Sequence, residues 1–294
     1  MDRTLLGAAG LMVAAMALIP VGDAAGKALT AGHGAAPAFV AFARFAVGAA
    51  MVAAILGLRV DWRLYRDWRV WLRAGLIAAA IACIQTALRT EPLGAAFAAF
   101  FVGPIVSFAL SVRLLGERAT ALQVACLALG FAGVLLIVRP GAGVSPGLLW
   151  ALAGGALYGA FLTASRWIGG VAPPRQLMLS QTLLGTVLLA PLGLPAAGTL
   201  PPLDAAVVLL LAVSGVASAS GNLLLILAYR RADASVLAPL VYVQLASATL
   251  VGWAAFGEWP DGMTAAGMAV IVVAGLGALA ARRGPSPVRP GDGA

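Results

Sequence analysis

Residues 87–117, ALRTEPLGAAFAAFFVGPIVSFALSVRLLGE, and residues 228–258, AYRRADASVLAPLVYVQLASATLVGWAAFGE, run in register without a gap. Each copy opens on a short polar stretch, continues into an apolar segment and closes on Gly-Glu, as Gly116-Glu117 and Gly257-Glu258. Another apolar run follows each phrase, and a single inserted residue brings Gly133 onto Gly275. The second half of the chain therefore repeats the first.

Working outward, five apolar segments fall in each half: 4–28, 37–58, 71–90, 93–114 and 120–138, then 147–168, 175–193, 204–228, 234–256 and 263–281. About twenty apolar residues are what a helix needs to cross the hydrocarbon core. Apolar residues make up 62% of the chain and charged residues 10%, against about half and a quarter in soluble domains. The runs lack the alternation of barrel strands, so the fold class expected is all-α, with ten transmembrane helices. An odd number of spans per half makes equivalent segments cross in opposite directions. Inverted repeats of this kind place a substrate site near the bilayer midplane and expose it alternately by rocking. The expected organisation is a first repeat over 1–140, an inverted second repeat over 141–283, and a disordered Pro/Gly-rich tail over 284–294. The first run is too long for a signal-peptide core and is expected to be retained.

Placing the N-terminus inside leaves only Lys27, Arg44, Arg89 and Arg139 of the 19 basic residues on the outer half. That asymmetry puts both termini in the cytoplasm. The net charge of +8 resides in short loops between spans, so nucleic acid is not expected as a partner. The loop from Arg59 to Arg73 mixes arginine with Trp62, Tyr65, Trp68 and Trp71, the pattern of an interfacial anchor on the lipid bilayer. Cys83 and Cys126 lie in apolar runs without metal spacing. His33 is the one histidine, no phosphate-binding loop occurs, and no cofactor is expected.

Charges at membrane depth usually face a cavity or a partner. Asp23 and Lys27 sit one turn apart after Pro20 and so share a helix face. They form either a coupling pair lining a cavity or a self-neutralising pair near the outer interface. Arg44 has no carboxylate in its own segment. It can hold a substrate carboxylate, helix-end carbonyls or Asp23. Glu117 and Glu258 open the fifth helix of each half and suit helix-end roles, where the macrodipole favours a carboxylate. Gln85, Thr86, Tyr158, Phe161, Thr163, Gln181, Asn222, Tyr242 and Gln244 are candidates for the cavity wall. Together they offer hydrogen bonds to a zwitterion and aromatic faces to its side chain. Pro104 and Pro239 are expected kink points for gating.

The ten spans, the Leu-Gly-Glu and Phe-Gly-Glu phrases, the Ala-Gly-Val-Leu-Leu run and Arg44-Phe45 resemble the drug/metabolite transporter superfamily. Within it they resemble the EamA-type exporters, most of all YddG-type exporters of amino acids. The resemblance implies a basket of two inverted five-helix halves. The first four helices of each half would surround a central cavity and the fifth pair would lie at the periphery. It further implies export of amino acids and related small metabolites across a bacterial inner membrane, by a multi-pass monomer or weak homodimer. A proton-coupled multidrug carrier and a nucleotide-sugar carrier are the alternatives. No clustered acid/base or nucleophilic residues suggest an enzyme.

Overall fold

A computed structural model describes residues 3–57, 60–116, 120–139, 144–168, 170–232 and 237–280. The helices are α1 (Arg3–Lys27), α2 (Pro37–Leu56), α3 (Trp68–Leu88), α4 (Leu93–Phe100), α5 (Val102–Leu115) and α6 (Ala121–Val138). In the second half they are α7 (Pro146–Trp167), α8 (Pro174–Gly193), α9 (Ala205–Tyr229), α10 (Val243–Phe256) and α11 (Gly262–Ala280). A π-helical turn, Ala28–Gly32, extends α1, and a 3-10 turn, Ala238–Tyr242, precedes α10. No strand occurs among the described residues.

Eight of these segments are long and apolar enough to cross a membrane. The two shorter apolar helices, 240–256 and 262–278, stand where the ninth and tenth spans are expected. Polar side chains fix several helix starts. Asp67, Ser145 and Asp204 each accept a backbone N–H of the first turn. Thr120 and Gln123 form a reciprocal capping box on α6.

The halves pack as equivalents. Helix α1 packs on α9, and its counterpart α7 packs on α3. Helix α2 meets α8 and α6 meets α11, each pairing a helix with its own counterpart. These contacts map onto themselves when the halves are exchanged. Helices α6 and α11 cross at glycines: a Cβ on Gly133 would lie 2.9 Å from the Gly267 carbonyl oxygen, and one on Gly267 2.7 Å from that of Gly133. Only bare Cα atoms allow this approach.

The fourth apolar segment is interrupted. Helix α4 ends at Phe100 and α5 begins at Val102, with Phe101 between them at φ −65° and ψ 1°. Pro104 accounts for the break, because it has no N–H for the Phe100 carbonyl four residues earlier. The equivalent position is Tyr242, where the 3-10 turn gives way to α10. The rings of Phe101 and Tyr242 approach to 5.6 Å between centroids. The two interruptions therefore meet. Pro239 lies inside the 3-10 turn, ahead of the junction. Gly116 and Gly257 end α5 and α10 in the left-handed conformation, at φ 70° and 69°. Glu117 and the tail over 284–294 lie outside the described residues.

Candidate substrate cavity

A cavity of about 90 Å³ lies between the halves, lined by α1, α2, α3 and α4 from the first and α7, α8, α9 and α10 from the second. Neither α6 nor α11 contributes. Those two helices pack on each other and present Leu122, Val124, Phe131, Val273 and Leu276 outward. At its centre Arg44 Nη1 donates to Asp23 Oδ1. Their side chains are 6% and 3% exposed. Gln85 Nε2 adds a second donor to the same oxygen, at 2.9 Å. Around this pair stand the amides of Gln181, Asn222 and Gln244, the hydroxyls of Thr182 and Ser218, and the rings of Phe45, Phe97, Phe100 and Tyr158. The Phe100 and Tyr158 rings lie 5.2 Å apart. The volume admits a few waters and falls short of the several hundred Å³ of a typical ligand pocket. The walls are drawn in around the ion pair.

Asp23, Arg44, Tyr158, Gln181, Asn222 and Gln244 thus share one cavity. Other candidates do not line it. Gln85 is fully buried behind Asp23. The hydroxyl of Thr86 is turned onto the Ala82 carbonyl of its own helix. That of Thr163 is spent on the Ser107 and Gly159 carbonyls. Phe161 lies under the guanidinium of Arg73, 4.7 Å from the ring centroid, in the apolar cluster that backs Phe45, Ile77 and Tyr158 of the cavity wall. Tyr242 lines a second cavity of about 260 Å³ between α5, α6 and α11, where its ring covers Gly275. Phe97 and Phe100 escaped the sequence reading. Their signal was the proline that breaks the helix beside them.

Asp23 and Lys27 do not pair with each other. They share a face of α1, yet each reaches a different element. Lys27 Nζ donates to Glu258 Oε1 and, at 2.6 Å, to the Glu91 carbonyl. Glu258 Oε2 accepts the Leu93 N–H at 2.9 Å. Its carboxylate therefore caps α4 of the opposite half, not the helix it precedes. That helix, α11, is capped by Asp261, whose Oδ1 accepts the Thr264 N–H at 2.8 Å. The reason is the left-handed turn at Gly257, which directs Glu258 back toward the other repeat. Ser145 donates to Glu91 at the same end. One end of the bundle is thereby tied shut across the halves.

The opposite end holds a wider cavity of about 740 Å³, lined by Ser165, Arg166, Tyr229, Arg230 and Arg231 among others. Arg166 donates to Ser111 Oγ there at 3.0 Å. At the surface of the molecule, Asp67 accepts the Arg69 side chain, which holds its carboxyl below the usual range. Trp68 and Trp167 meet edge to face at 5.6 Å.

The comparisons agree with this architecture. The EamA-like transporter family matches residues 6–139 and again 145–279. A riboflavin transporter of Rhizobium johnstonii is 30% identical over 218 residues, spanning 73% of this chain and 70% of that protein. A protein of known crystal structure, 23% identical, superposes with a TM-score of 0.65 over 94% of this chain and 98% of its own, which shows the shared fold. Two matches that together span nearly the whole chain make the assignment: this protein is a member of the EamA-like transporter family.

Proposed function

We propose that the protein exports amino acids and related small metabolites across a bacterial inner membrane, through ten spans with both termini in the cytoplasm. The central cavity is the substrate site, and the two repeats rock to expose it to each side in turn. The observation that carries this reading is the Asp23–Arg44 pair on the cavity wall. A buried ion pair adds little net stability, so charges retained at such depth point to a ligand or a coupling step. A zwitterion presents one charge of each sign and can take over both partners. Its side chain then lies among Phe97, Phe100 and Tyr158.

A second reading, riboflavin as cargo, is favoured by the transporter of that name among the relatives. The amides of Gln181, Asn222 and Gln244 suit the polar edge of a flat ring, and Phe100 with Tyr158 suits its faces.

The test is uptake of labelled phenylalanine, glutamine and riboflavin into liposomes holding the purified protein, without and with an imposed proton gradient. Amino-acid flux down its own gradient, lowered most by Arg44→Ala for carboxylate-bearing solutes, supports the export reading. Riboflavin flux alone selects the second. No flux of any of them, with or without the gradient, refutes both.

A further inference from the structure

We propose that Lys27 is a positioning residue that exchanges partners, from Glu258 in the closed arrangement to Asp23 when the tied end opens, and so releases Arg44 into the cavity. The inference rests on the central cavity being the transport site. Three observations carry it.

Asp23 and Lys27 lie one turn apart on α1, with Cβ atoms within about 5–6 Å of each other at this spacing. Both are buried, at 2% and 5% exposure. They move together on one rigid helix.

Their present partners belong to different halves. Arg44 is on α2, within the same repeat as Asp23, whereas Glu258 comes from the turn between α10 and α11 of the other repeat. Any motion that parts the repeats at this end removes Glu258 from Lys27. Lys27 then keeps the Glu91 carbonyl of its own repeat but has no opposite charge, and a buried ammonium without one is strongly disfavoured. Asp23 is the carboxylate on its own helix face.

The third observation is an unmet acceptor. Gln85 Oε1 is buried and has no hydrogen-bond partner. It rests against Gly26, between Asp23 and Lys27, where a Cβ would overlap the amide. Buried acceptors are nearly always satisfied. A Lys27 ammonium swung toward Asp23 supplies the missing donor. The exchange thus satisfies Gln85, pairs Lys27 and loosens the hold of Asp23 on Arg44. Opening of the tied end and exposure of an anion-binding guanidinium become one event.

The experiment uses the full chain in lipid nanodiscs and phenylglyoxal, which modifies unpaired guanidinium groups. The adduct is read on the Arg44 peptide by mass spectrometry. In Glu258→Gln the Arg44 modification rate is expected to rise about tenfold, the population shift from losing one ion pair worth about 1.4 kcal/mol. Adding Lys27→Met leaves the end open but removes the exchanging cation, so the rate returns to the wild-type value. Adding Lys27→Arg instead keeps the rate high. Lys27→Gln replaces Lys27→Met if that variant does not reach the membrane. No acceleration in Glu258→Gln overturns the proposal, and so does equal acceleration in the double variant with Lys27→Met. The readout involves no transported solute, so its failure is distinct from failure of the liposome assay.

Discussion

Arg44→Met tests the energetics at the cavity centre. The substitution leaves the Asp23 carboxylate, 3% exposed, with the hydrogen bond from the Gln85 amide but without its counter-charge. Breaking a buried pair by deleting one partner costs about 3–5 kcal/mol. At about 2 °C per kcal/mol for a chain of this size, the melting temperature falls by about 6–10 °C. Asp23→Asn placed on top of Arg44→Met removes the orphaned charge and keeps an oxygen for Gln85 Nε2. That double variant recovers most of the loss. The assay is thermal unfolding of the detergent-solubilised protein by tryptophan fluorescence. A single-variant shift under about 2 °C refutes the reasoning. So does a double variant no more stable than the single, because the cost would then lie in packing and not in the uncompensated charge.

Three further outcomes follow from the geometry. Gly267→Val drives a side chain into the Gly133 carbonyl and Ile137, and overpacking of this kind costs about 1–3 kcal/mol, read as a lower melting temperature. Gly257→Val forces a β-branched residue to φ 69°, costing about 1–2 kcal/mol, and the strain also displaces Glu258 from Lys27. Asp261 accepts from Arg139 and Thr264, the Arg139 bond first, and its pKa is lowered from 3.8 to about 2. A carboxylate whose pKa lies lower in the folded chain stabilises the fold above the unfolded value. That contribution is lost as pH falls through the folded value. The melting-temperature difference between wild type and Asp261→Asn should therefore hold constant from about pH 8 to pH 5 and shrink only in strong acid.

The sequence by itself determined the helical membrane fold and the repeat. Apolar length and the register of 87–117 with 228–258 are local properties, and they survive folding because lipid leaves the backbone only helices or closed barrels, and these runs lack the alternation of barrel strands. It also singled out the polar residues worth attention, since charges at membrane depth are few. Tertiary structure decided their partners. The spacing of Asp23 and Lys27 favours an i, i+4 pair, yet Arg44 comes from the next helix and Glu258 from 231 residues away. No periodicity encodes that choice. It depends on how two halves close on each other and on the turn at Gly257. Thr86, Thr163 and Tyr242 make the same point. Each is polar within an apolar segment, and only packing determined that two bond their surroundings and the third faces another cavity. A hydroxyl can satisfy itself on its own helix, whereas a buried charge has to find an opposite charge, and the fold alone sets which one is within reach.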